Sequence, residues 1–474
     1  MNDLNETPGR QDRQDGDRDI SRILGVCGVM AVGFPIRFAR RLTTALIVVL
    51  GLGAGAARAQ STVPGDEDLP KIRITPSGGD LFRLALPRAD GDGELARVAL
   101  ETEDRDLDIS GIFHVLDPTS FPPDLQNEGL GFSSALWSQV GAQGVAKMKV
   151  TRGGGGAEVE GRLYVLGRGE SPVLSRGYRG GDVRDAVHQF ANDVVGFFTG
   201  QPGIFGSRIA LALSGKGSHE IATIDMDGSR TLVLTRTGSD CLLPAFAPGG
   251  GEVAFTSYLR GNPDLWIVSA GGGRARRVSR QTGLNTGASW SPDGRHIALT
   301  MSYEGNAELY RINPSDGGVQ SKLTTNPAID SSPSYSPDGS QIAFVSNRRG
   351  SPQIFVMGAA GGGEPKRVTF QGKYNQTPRW NPRPDKPLIA FTGRDERGVF
   401  DIFILDMRSG KIERVTQGKG SNLDPTWSPD GRLLAYTSTR GGIFVTNPET
   451  HHEVQIWRGA GSSPSWGPAP ARSH

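Results

Sequence analysis

Short runs of alternating apolar and polar residues fill the second half of the chain, and each run closes on a turn. Residues 342–346 (Ile-Ala-Phe-Val-Ser) put every second side chain on one face, the two-residue period of a half-buried strand. A Gly-containing turn at 347–350 leads to a second strand at 353–357, and a Gly-rich hairpin at 360–363 leads to a third at 366–370. Ahead of the first strand lies Pro337-Asp338-Gly339. There proline presets φ, aspartate hydrogen-bonds the backbone and glycine accepts φ > 0, so a tight turn is predicted.

The unit repeats. A phrase built on Pro244, Phe246 and Pro248 returns as Ser289-Trp290-Ser291-Pro292-Asp293-Gly294, then around Tyr335, Trp380, Trp427 and Trp466. The aromatic anchors are spaced by 44, 45, 45, 47 and 39 residues. Strand-like repeats of this period predict propeller blades of four antiparallel strands, the next repeat's anchor opening the fourth. Six anchors imply six blades, yet Trp466 has only eight residues after it. Conversely, strand-like runs at 208–213, 220–225 and 231–235 have no anchor before them. Pairing the strand at 464–466 with that group closes the ring and removes open sheet edges. An all-β six-bladed β-propeller is therefore expected over 203–474, and loss of the last dozen residues should unfold it.

The region before it reads as a small α/β domain at 81–202. Strands are expected at 81–86 and 111–116, a helix at 132–140, and a hairpin of 144–150 with 157–166 around the glycines 153–156. The strongest helix spans 182–198. Asp182 caps it, and Val183, Ala186, Val187, Phe190, Val194 and Phe197 form one apolar face. Gln201-Pro202-Gly203 stops it. Residues 60–80 are polar and read as a mobile segment, with one extendable strand at Lys71, Ile72, Arg73 and Ile74.

Residues 1–59 read as a leader. Arg37, Arg40 and Arg41 precede an apolar run at 42–52, shorter than the roughly 20 residues that span a bilayer. Ala57-Arg58-Ala59 then predicts signal-peptide cleavage between Ala59 and Gln60, and hence export. Met30 gives a better-proportioned start than Met1. Cys241 is the one cysteine beyond that cleavage point, which leaves no intramolecular disulfide. A net charge of +2 argues against bulk attraction to nucleic acid.

Candidate chemistry is thin. No G-x-S-x-G elbow occurs, which weighs against a hydrolase attached to the propeller. His114, His188, His219 and His296 fall on separate elements, and His451 and His452 lie in a hairpin, none with metal-ligand spacing. The glycines at 153–156 lack the Lys-Ser/Thr of a phosphate loop and read as a hairpin tip. Asp225-Met226-Asp227-Gly228 is too short for a calcium loop and reads as a β-turn. No cofactor is expected. A propeller hydrolase or lyase acting on peptide or polysaccharide is the alternative function.

The order of leader, small α/β domain and propeller with PxWSPDG-type repeats resembles the TolB family, the soluble periplasmic component of the Tol–Pal system of Gram-negative bacteria. Most specific are Pro464-Ser465-Trp466-Gly467-Pro468 near the end and the lead-in from Gly203 to Ala210. The resemblance implies protein binding without catalysis: a monomer that docks the lipoprotein Pal at the propeller mouth and meets the periplasmic domain of TolA through its N-terminal segment. It touches membranes only through these partners and supports outer-membrane integrity and constriction during cell division. By position the TolA segment holds Lys71, Ile72, Arg73 and Ile74. The Pal-facing loops precede each anchor and hold Ser239, Asp240, Asn285, Thr286, Asp330, Ser331, Asn375, Gln376, Asn422 and Asp424. In the family the loop before the second anchor often carries a histidine; Asn285 stands there in this chain. Asp330 and Asp424 are also candidates for a channel cation.

Overall fold

The computed structural model describes residues 81–469. The expected cleavage site at Ala59 and Gln60 and the segment from Lys71 to Ile74 lie outside the described residues.

The first unit is an α/β domain: β1 (Phe82–Ala85), β2 (Asp90–Gly91), α1 (Gly93–Ile109), β3 (Phe113–Val115), α2 (Pro123–Gln126), α3 (Ser134–Gln139), β4 (Gly144–Gly153), β5 (Gly156–Val165), β6 (Leu174–Gly180) and α4 (Val183–Thr199). Its mixed sheet has the order β3-β1-β4-β5-β6, with β2 beside β4. β1 runs parallel to β3 and β4, and β4, β5 and β6 are antiparallel. The expected hairpin is there as β4–β5. The expected long helix is α4, capped by the Asp182 carboxylate, which accepts from the Arg184 amide at 3.1 Å. Its end differs from expectation: Gly200 terminates it in the left-handed conformation, and Phe198, not Phe197, is the fully buried ring.

Four elements escape the sequence reading: β6, the 17-residue α1 and the short β2 and α2. α1 hides because its buried face is partly polar: Thr102, Glu103 and Asp106 are buried beside Ala96, Ala99, Leu107 and Ile109. The apolar stripe that announces an amphipathic helix is interrupted there.

The second unit is a closed propeller of six four-stranded sheets. Each sheet starts with an inner strand that ends on an anchor: Gly461–Trp466 in blade 1, Cys241–Phe246 in blade 2, Asn285–Trp290 in blade 3, Asp330–Tyr335 in blade 4, Asn375–Trp380 in blade 5 and Asn422–Trp427 in blade 6. Each anchor strand is thus the first of the blade built by the strands after it, rather than the fourth of the preceding unit. Closure is as expected: Gly461–Trp466 pairs antiparallel with Arg208–Ser214. Each inner strand touches the next blade's inner strand, and the sixth returns to the first. At three seams an anchor amide donates to the hydroxyl before the neighbouring anchor: Phe246 to Ser465 at 3.2 Å, Trp380 to Ser334 at 3.0 Å and Trp466 to Thr426 at 3.1 Å.

The two units share one core. Buried residues of the α/β sheet, α1 and α4 pack continuously with Ile209, Leu211, Ile224 and Met226 of blade 1 and Leu433, Val445, Ile456 and others of blade 6. Arg105 of α1 donates to the carbonyls of Asp227 and Gln455, and His452 meets Asp108 at 2.8 Å. The hairpins used lie at the end of the propeller that carries the anchors and Pro-Asp-Gly turns. The opposite end is left clear of the α/β domain.

Candidate functional site: the polar end of the ring

Each inner strand begins at the clear end and runs inward to its anchor, opening on polar or small residues in every blade but blade 2, where Cys241 and Leu242 stand first. Two residues in, the backbone bulges. Leu243, Ser332, Thr377, Asp424 and Ser463 have φ between 47° and 57°, and Gly287 has φ 63°. Pairing with the second strand skips there in all six blades. In five blades a proline follows the bulge residue, and proline has no N–H for the ladder. In the sixth, Ala288 follows and the bulge residue is Gly287, which takes positive φ without strain. Bulges re-aim side chains. Here they form a ring of six about the axis. Preceding-blade threonines accept from three of their amides: Thr256 from Gly287 at 3.4 Å, Thr392 from Asp424 at 3.1 Å and Thr437 from Ser463 at 3.2 Å.

The structure places the ten sequence-nominated residues at this end. The reading of them as turn-borne side chains holds for Ser239 and Asp240 and is corrected for the other eight, which lie in the inner strands. Asn285, Thr286, Asp330, Ser331, Asn375, Gln376 and Asn422 are buried. Several are spent on the scaffold. Asp240 holds the amide and ring of His219. Asn285 accepts from Ser279 at 2.7 Å and from the Gln281 amide at 3.0 Å. Thr286 accepts from Thr256 at 3.1 Å. Asn375 donates to Gln353 at 2.9 Å, and Asn422 donates to Asp401 at 3.0 Å. These bonds stitch the inner strands of blades 3, 5 and 6 to the blade before each.

The two nominated channel carboxylates also have protein partners. Arg348 donates to Asp330 at 2.7 Å, and burial pushes the Asp330 carboxyl up to about 6. Ser463 donates to Asp424 at 3.0 Å, and burial raises Asp424 against the lowering pull of Arg379. Other inner-strand atoms are without a partner among the described residues: Ser331 Oγ, Ser332 Oγ, Gln376 Oε1 and Asn422 Oδ1. Buried polar atoms are rarely left so, and these four lie on the inner strands of three adjacent blades, 4, 5 and 6.

A rim surrounds that ring. The hairpins joining second and third strands carry, in blade order, Lys216, Arg260, Glu304, Arg349, Arg397 and Arg440, all exposed. Each is followed by a glycine at positive φ. Five of the six are basic. The guanidiniums of Arg348, Arg394 and Arg440 lie over the rings of Phe344, Phe400 and Phe444 at 5.5, 5.8 and 3.8 Å. A cleft of ≈ 1010 Å³ opens at blade 5 between Lys373, Asn375, Arg394, Asp395, Arg397 and Arg414. The sequence signal for the rim is a basic residue before the glycine of the second turn in five of the six repeats, with Glu304 in its place in blade 3. At the anchor end a smaller cavity of ≈ 380 Å³ is lined by Phe246, Tyr335, Trp380, Trp427, Trp466 and their prolines.

Comparison with known proteins agrees with this architecture. Residues 196–468 match the TolB beta propeller domain and residues 70–171 the TolB amino-terminal domain. A protein of Anaeromyxobacter dehalogenans strain 2CP-C, named Tol-Pal system protein TolB, is 43% identical over 432 residues, covering 88% of this chain and 97% of the relative. A protein of the same name from Desulfosudis oleivorans is 39% identical over 260 residues, 54% of this chain and 58% of the relative. The crystal structure of TolB from Acinetobacter baumannii superposes with a TM-score of 0.73 at 24% identity, covering 82% of this chain and 97% of that one. With two family domains in order and the relatives' length spanned almost completely, this chain belongs to the TolB family of the Tol–Pal system.

Proposed function

We propose that this protein is a periplasmic adaptor that binds the lipoprotein Pal at the polar end of its propeller and meets TolA through Lys71, Ile72, Arg73 and Ile74. It would thereby link the inner-membrane Tol complex to the outer membrane during constriction. The observation that carries the reading is the exposed, mostly basic rim of Lys216, Arg260, Arg349, Arg397 and Arg440 around the inner strands. Such a surface suits a protein loop that brings carboxylates to the edge. Family membership supports the choice of system. Catalysis finds no support at the ring, where the carboxylates of Asp330 and Asp424 are held by neighbouring side chains.

Titration calorimetry with the purified periplasmic domain of Pal tests this. Gln376→Ala in the ring is expected to weaken binding about tenfold, on the order of 1.4 kcal/mol. Arg349→Glu with Arg397→Glu should weaken it further and flatten its salt dependence. Unchanged affinity in both variants would overturn the placement, and absence of any binding to Pal would overturn the adaptor role.

A further inference from the structure

Where the α/β domain meets blade 1, four ionisable residues are buried together. Asp106 and Glu103 come from α1, His188 from α4, and Asp227 from the turn between the second and third strands of Arg208–Val233. They are 0, 1, 3 and 6% exposed. Asp106, His188 and Asp227 each offer one ligand atom, and these atoms lie within 4.8 Å of one another. The neighbouring cations are engaged elsewhere. Arg184 donates to Thr102, Arg105 to backbone carbonyls, and Arg230 to Asp225 and Asp185.

The bonding inside the cluster is incomplete. His188 Nδ1 meets Asp106 Oδ2 at 2.6 Å. Among the described residues the other ring nitrogen, Nε2, has no partner, nor has Asp106 Oδ1, nor Glu103 Oε1. Asp227 Oδ1 accepts from Ser229. A buried imidazole nitrogen and two buried carboxylate oxygens without partners are costly in a dry interior. The 2.6 Å contact sets His188 Nδ1 and Asp106 Oδ2 side by side, close enough to serve as adjacent ligands of one ion once the proton between them is displaced.

We propose that this joint binds one divalent transition-metal ion, zinc in the first instance, through His188, Asp106 and Asp227. One imidazole with carboxylate oxygens suits zinc better than magnesium or calcium, which take oxygen ligands. Side-chain rotation closes the ligands to the ~2.0–2.2 Å that zinc requires. Glu103 sits one helical turn before Asp106 on the same face of α1. Because α1 and α4 belong to one unit and Asp227 to the other, the ion fastens the α/β domain to blade 1. It stabilises the folded joint by mass action. This site lies at the anchor end, away from the polar ring, and does not depend on the reading of that ring.

The test is titration of the untagged full chain, stripped with EDTA, with zinc chloride. The expected result is one zinc per chain, with X-ray absorption showing one imidazole among nitrogen and oxygen ligands, and a thermal midpoint that rises with zinc. His188→Gln and Asp227→Asn should each cut the affinity at least tenfold, and His452→Gln at the nearby Asp108 contact should leave it intact. Absence of saturable binding by the unaltered chain would overturn the site, which would then hold only protons or water. Stoichiometric binding untouched by His188→Gln and Asp227→Asn, or lost with His452→Gln, would equally overturn it.

Discussion

A single backbone choice, repeated six times, shapes the binding end. The residue two positions into each inner strand adopts positive φ, and the ladder skips beside it. Where proline follows, the missing N–H removes a ladder bond the bulge would break in any case. In blade 3 Ala288 replaces that proline, so the conformation rests on Gly287. Gly287→Val is therefore expected to cost about 1–3 kcal/mol, the usual strain of a branched residue held at positive φ, read as a lower urea midpoint with unchanged slope. A second residue-scale prediction concerns acid. Burial would raise the Glu453 carboxyl, but hydrogen bonds from Arg440, Tyr436 and Lys419 outweigh it and hold it at about 2. Its ordinary value is 4.5. The stabilisation is thus fully present above pH 4.5 and is lost as pH falls toward 2. Glu453→Gln should cost about 2 kcal/mol at neutral pH, with the gap to the unaltered protein closing below pH 4.5. A constant gap across that range would contradict this account.

At the scale of elements, α4 is the spine of the α/β domain, and its fit against the sheet is tight at one spot. A Cβ on Gly161 of β5 would lie 2.5 Å from the Phe190 ring. Phe190 is fully buried and packs against Tyr178 with ring centroids 5.6 Å apart, so it has little room to yield. Gly161→Val should cost about 1–3 kcal/mol by overpacking and should unlock α4, visible as faster amide exchange along that helix. α1 behaves differently. Its buried face carries Thr102, Glu103 and Asp106, and burial pushes Glu103 up to about 8 and Asp106 up to about 6. Such a helix is held by tertiary contacts rather than by a stripe of its own. Unaided, its charged sequence would make a poor docking surface.

For the whole molecule, closure and domain docking meet in the same residues. Trp466 ends the strand that closes blade 1, donates through its indole N–H to Ser207 at 2.9 Å, and belongs to the core shared with the α/β domain. Trp466→Ala is expected to cost about 3–5 kcal/mol. It should also speed amide exchange in α4, although that helix lies more than 260 residues earlier in the chain. Loss confined to the propeller would show that the common core is not one cooperative unit. Removing 461–474 takes away the whole inner strand of blade 1 and leaves the edge of Arg208–Ser214 open, so this truncation should not fold.

The repeat period, the number of blades, the closing pair and the course of α4 were all decided by the sequence, because each depends on local turn chemistry and on apolar positions recurring at fixed spacing. Family resemblance followed from the same residues. The nominated ring residues were placed at the correct end of the blades, yet their setting was not visible. Periodicity cannot distinguish an Asn that faces a partner from one, such as Asn375 or Asn422, spent on a neighbouring blade. α1 stayed hidden because its buried face is polar. With it stayed hidden the cluster of Asp106, His188 and Asp227, residues 82 and 39 positions apart along the chain. Only packing of the α/β domain against blade 1 brings them within reach of one ion, since no local pattern links a helix interior, a second helix and a propeller turn.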